Sequence, residues 1–60
     1  MDIKLIADNC RKWRVLDTEY TQKQIAEELG VSVETISAFE HGRTNNAVVL
    51  SWYIEHGFTL

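Results

Sequence analysis

The chain has no proline, a single cysteine and only three glycines in sixty residues. Lone Cys10 excludes an internal disulfide and is compatible with a reducing compartment. The longest apolar run is Ala47 to Leu50, so no segment is expected to span a membrane and nothing resembles a signal peptide. A soluble, cytoplasmic protein is the expectation. Basic residues are also scarce, six Lys and Arg against nine acids, for a formal net charge of -3. Nonspecific affinity for nucleic acid comes mostly from cations neutralising phosphates, so this balance weakens a DNA-binding reading, although a local basic face could still serve. Low-complexity tracts, repeats and linkers are missing too. That leaves one domain, residues 1–60, with a small core near the lower limit for folding without metals or disulfides.

Catalytic and metal chemistry have no foothold. Cys10, His41 and His56 stand far apart, without ligand-like spacing or further partners. Cys10 reads better as a small core hydrophobe. With no glycine-rich phosphate loop and no nucleophile paired with a base, neither an enzyme, a cofactor, a metal nor a small-molecule substrate is expected.

What is present is helical pattern. Ile3, Ile6, Cys10 and Trp13 recur at three and four, predicting a first amphipathic helix over about Ile3 to Val15, with Lys4, Asp8, Arg11 and Lys12 on its outer face. The polar stretch Leu16 to Glu19 follows. Thr21 with Gln24 forms a capping box, and Tyr20 with Ile25 a hydrophobic staple, which together start a second helix. Gly30 stops it, because a left-handed residue just past a helix end carries no steric cost only in glycine, and Val31 would fold back on Ala26. Ser32 caps a third helix, stapled by Val31 and Ile36 and stopped at Gly42. Ile36 and Phe39 point inward. After Arg43 to Asn46, one of the asparagines caps a fourth helix from about Ala47 to His56, stopped at Gly57, with Phe58 returning onto Tyr53. Leu50, Tyr53 and Ile54 are its expected inward stripe, which leaves Val48 and Trp52 on a neighbouring face.

The stretch from Thr21 to Gly42 is thus helix, tight turn, helix, with Ala26 small where the two must approach. Thr21-Gln22, Ile25-Ala26, Leu29-Gly30-Val31-Ser32, Thr35-Ile36-Ser37, Glu40 and Gly42 resemble the helix-turn-helix of lambda repressor and Cro type. The likeness is close over residues 21–42 and looser over 6–58. It implies an all-α, compact, four-helix, lambda-repressor-like domain, with room for a short extra C-terminal turn. It also implies an ion pair between Arg14 and Glu40, if one extra residue is allowed before Thr21. Otherwise Arg14 is a solvated charge available for phosphate.

The same likeness distributes the remaining roles. Gln22 at the first position of the second helix would meet a phosphate, with Lys23, Arg43, Thr44 and Asn45 as further backbone contacts. Simple turn and cap roles explain Thr44 and the asparagines equally well. The outward face of the third helix, Val33, Glu34, Ser37, Ala38 and His41, would read bases or bind a partner. Glu34 also suits the positive end of the helix dipole. No Arg, Asn or Gln stands on that face, so the commonest contacts to guanine and adenine are missing. The leading expectation is a small phage-type or mobile-element-type regulator binding double-stranded operator DNA. It would act as a homodimer through Val48, Trp52, Phe58 and Leu60. The alternative is an antirepressor that docks the same acidic and apolar face on a partner repressor.

Overall fold

The computed structural model describes residues 2–60. They form four helices, α1 (Ile3–Asp17), α2 (Gln22–Leu29), α3 (Val33–Glu40) and α4 (Ala47–Glu55), and no strand. Each start is fixed by a short polar side chain. Asp2 accepts the amides of Lys4 and Leu5, and Asn46 those of Val48 and Val49, while Thr21 and Gln24 satisfy each other's backbones as a full capping box. The ends are fixed by backbone turns. Gly30, Gly42 and Gly57 all have positive φ.

α1 runs two residues past the expected Val15. Nothing stops it until Thr18 turns extended and its hydroxyl donates to the carbonyl of Arg14 at 2.6 Å. α4 ends at Glu55, with His56 as its C-cap, and Thr59 and Leu60 add no further turn.

α3 packs against both α1 and α2. Cys10, Ile25, Ala26, Ile36, Phe39, Val49, Trp52, Tyr53 and Phe58 make the core. Tyr53 stands at its aromatic centre, edge-on to Trp13 and Phe58 and stacked on Phe39. Among the described residues, every buried side-chain nitrogen and oxygen has a hydrogen-bond partner.

The fourth helix turns a different face inward from the one expected. Val49, Trp52 and Tyr53 are buried, Leu50 is half-buried, and Ile54 is exposed. Of its nine residues only Ser51 and Glu55 are polar, so its pattern does not select a face. Packing of the rings does. Trp52 lies edge-on to Tyr20 at 4.9 Å between centroids and stacks on His56, and its indole N–H donates to Glu28 at 3.1 Å. Trp52, only 3 % exposed, and buried Phe58 are therefore core residues and not the oligomer surface assigned from sequence. Val48, 61 % exposed, and Leu60 do remain outside.

Candidate nucleic-acid interface

The turn between α2 and α3 sets the direction of everything that α3 can present. Gly30 adopts φ 70°, ψ 32°, and the amide of Val31 reaches back to the carbonyl of Ala26 at 3.0 Å, closing α2. Two residues later Ser32 caps α3 by accepting the amide of Thr35, and the two hydroxyls meet at 3.0 Å. From that start, Ile36, Phe39 and Glu40 face inward. Val33, 39 % exposed, Glu34 and His41 face solvent, with Ser37 and Ala38 half-buried beside them. The imidazole of His41 is tied back through Nδ1 to the carbonyl of Ser37 at 2.8 Å.

Glu40 closes α3 and anchors it. Its side chain is 0 % exposed and takes four hydrogen bonds on two oxygens. Arg14 binds in a fork, Nε to Oε2 at 2.8 Å and Nη2 to Oε1 at 3.0 Å. Gln22 donates its amide to Oε1 at 3.0 Å, and the hydroxyl of Tyr53 donates to Oε2. Arg14 also reaches the carbonyl of Tyr20 through Nη1 at 3.2 Å. Burial alone would raise the Glu40 carboxyl. The bonds from Arg14, Tyr53 and Gln22 outweigh that and hold it below the ordinary carboxylate value. Arg14 is pushed up in turn, chiefly by its bond to Glu40, and Tyr53 is pushed up by burial and then by the same carboxylate.

Gln22, expected at a phosphate, thus has one amide hydrogen committed to Glu40 and one left. Its position at the start of α2, among backbone amides without intrahelical partners, is unchanged. Lys23, Arg43, Thr44 and Asn45 are all exposed. Arg43 is fixed in its backbone, its amide donating to the carbonyl of Ala38 at 2.9 Å, while the amide of Gly42 donates to Phe39. Two α1 cations are spoken for. Asp8 takes Arg11 at 2.9 Å and Lys12 at 3.0 Å.

Three features escape a reading of the sequence. Tyr53 and Gln22 join Glu40 from distant positions, and no local spacing announces either bond. Lys4 crosses Gly42. A Cβ built at Gly42 would lie 2.9 Å from Lys4 Cγ and 3.2 Å from Lys4 Cα. Gly42 carried a local signal, a helix stop, and that signal hides the close approach.

Among the described residues no group of His, Cys, Asp or Glu is placed to hold a metal ion, and no helix is long and apolar enough to cross a membrane. The family model described as helix-turn-helix matches residues 11–45, more than half of the chain, from within α1 to the loop after α3. No curated protein and no solved structure matches the chain.

Proposed function

Since the chain belongs to the helix-turn-helix family, of Cro/C1 type, it is a DNA-binding regulator of transcription and not an enzyme, and we propose that α3 reads operator DNA in the major groove, in a small regulator of phage or mobile-element kind that acts as a dimer. One observation carries this reading. Glu40, Ile36 and Phe39 lock α3 from behind, so that Val33, Glu34 and Ser37 stand outward from its first turns. Val33 suits a thymine methyl, Glu34 a cytosine amino group, and Ser37 several base edges. Gln22, Lys23, Arg43, Thr44 and Asn45 flank that face and contact the backbone, which positions the helix without reading sequence. One module buries only about 600–1,000 Å² of protein surface on DNA, so specific binding calls for two, joined through exposed Val48 and Leu60.

A second reading is favoured by the chemistry of the same face. Val33 and Glu34 present an apolar and acidic surface with no cation, which suits docking on the basic DNA-reading surface of a partner repressor.

A two-dimensional NMR titration of the labelled chain with a generic duplex, at low and then higher salt, separates them. Shifts at Gln22, Val33 to Ser37 and Arg43 that vanish with salt are expected of the DNA reader, because nonspecific binding is electrostatic. A silent spectrum at low salt would favour the repressor-binding role.

A further inference from the structure

We propose that Lys4 is a phosphate contact, and that the first turn of α1 therefore belongs to the DNA interface together with Arg43. The proposal rests on the DNA-binding reading above and extends the interface beyond the helix-turn-helix itself.

The placement of Lys4 comes from backbone, not from a mobile tip. Its Cα, Cβ and Cγ would lie 3.2, 3.4 and 2.9 Å from a Cβ at Gly42, so the root of the side chain rests directly on the glycine that ends α3. The next residue is Arg43, exposed and with its amide pinned to Ala38. Lys4 and Arg43 thus flank one glycine at the exit of the recognition helix, from two different segments of the chain.

Its charge is also free. The acid that would ordinarily pair with Lys4 one turn along α1 is Asp8. Both oxygens of Asp8 are engaged elsewhere, Oδ1 by Arg11 and Oδ2 by Lys12. The other nearby acid, Asp2, spends its carboxylate on the amides of Lys4 and Leu5. Among the described residues Lys4 forms no ion pair.

A count of cations shows why this matters in an acidic chain. Of six Lys and Arg, Arg11, Lys12 and Arg14 are held by carboxylates, leaving Lys4, Lys23 and Arg43. Two of the three, Lys4 and Arg43, belong to residues that flank Gly42. Each phosphate neutralised contributes about 0.9 to the slope of log affinity against log salt, so these cations set most of the salt response.

A bland alternative is that Lys4 steadies the negative end of the α3 dipole. Binding of the full chain to a generic duplex, followed by fluorescence anisotropy from about 50 to 200 mM salt, distinguishes the two. The variants are Lys4→Gln, Lys4→Arg, Arg43→Gln and Lys12→Gln. Lys4→Gln keeps the stem on Gly42, and an NMR spectrum checks the fold. The expected result is a slope lower by about 0.9 in Lys4→Gln and in Arg43→Gln, restored in Lys4→Arg and unchanged in Lys12→Gln. A lower melting temperature in Lys4→Gln with an unchanged slope would overturn the proposal and leave the DNA reading standing, provided Arg43→Gln responds. Absence of salt-sensitive binding in the unsubstituted chain would overturn both.

Discussion

Arg14 and Glu40, 26 residues apart in sequence, meet in a two-point contact that ties the end of α1 to the end of α3. The arginine side chain is 14 % exposed and the carboxylate not at all. Removing one member of such a pair leaves a buried charge without its partner, at a cost of about 3–5 kcal/mol. Sixty residues provide only about 3–9 kcal/mol in total. Arg14→Met is therefore expected to lose about a third or more of the total stability, with a urea midpoint far below that of the unsubstituted chain, as read by circular dichroism. A midpoint like that of the unsubstituted chain would show that Tyr53 and Gln22 suffice to hold Glu40.

The same carboxylate makes stability depend on pH. The folded Glu40 sits below its ordinary value of 4.5, so its contribution is fully present above that value. It is lost as the pH falls through the lower, folded value. Asp8 is lowered as well, by Lys12 and then Arg11, but lies on the surface and contributes little. The urea midpoint should stay flat from neutral pH to about 5 and then fall, and an NMR titration of the Glu40 carboxyl should show it protonating below its ordinary value of 4.5, in step with that fall. A Glu40 carboxyl that titrates at or above its ordinary value would assign the acid limb to other groups.

Two glycines with nearly equal φ should respond differently to alanine. Gly30, at φ 70°, has open space around its missing Cβ, so Gly30→Ala costs only the left-handed penalty of about 1–2 kcal/mol. Gly42, at φ 71°, carries that penalty and also meets Lys4 backbone at 3.2 Å. Gly42→Ala is expected to destabilise the chain more than Gly30→Ala in parallel urea melts. Equal losses would mean that α1 shifts away freely.

Cys10 is buried, and burial, then the charge of Glu40, pushes its thiol up to about 12. Only the thiolate reacts with disulfide reagents, so the folded chain should resist labelling at pH 8. Labelling should then follow unfolding across a urea series. Rapid reaction without urea would show that α1 opens readily.

The proposed dimer surface is testable without disturbing the core. Val48→Asp and Leu60→Asp alter exposed side chains and should change stability by no more than about 0.5 kcal/mol. Self-association in sedimentation should nevertheless weaken. Trp52→Ala is no probe of that surface, because truncating a buried tryptophan costs about 3–5 kcal/mol and would weaken the monomer's own fold.

Local chemistry was readable from the chain. Thr21, Ser32 and Asn46 cap the helices expected of them, and Gly30, Gly42 and Gly57 turn where a stop was expected, because a cap involves residues only two to four apart. The inward face of α4 was not readable, since a helix apolar on nearly every side takes its orientation from whichever rings it meets. The resemblance anticipated an approach of Arg14 to Glu40, yet the bonds from Gln22 and Tyr53 come from residues that nothing in the spacing links to Glu40. The approach of Lys4 to Gly42 is likewise a property of how α1 lies, and no stretch of sequence contains it.

The division of labour along α3 bears on how such a chain can change over generations. Ile36, Phe39 and Glu40 are buried and hold the helix in place, while Val33 and Glu34 face solvent and Ser37 is half-buried beside them. With the second set reading the target, as proposed above, substitutions there would cost little folding stability, and descendants could acquire new targets by drift at those positions. Change at the first set is barred by loss of the fold. On that reading, a lineage carrying this domain could diversify what it recognises quickly, while its scaffold stays still.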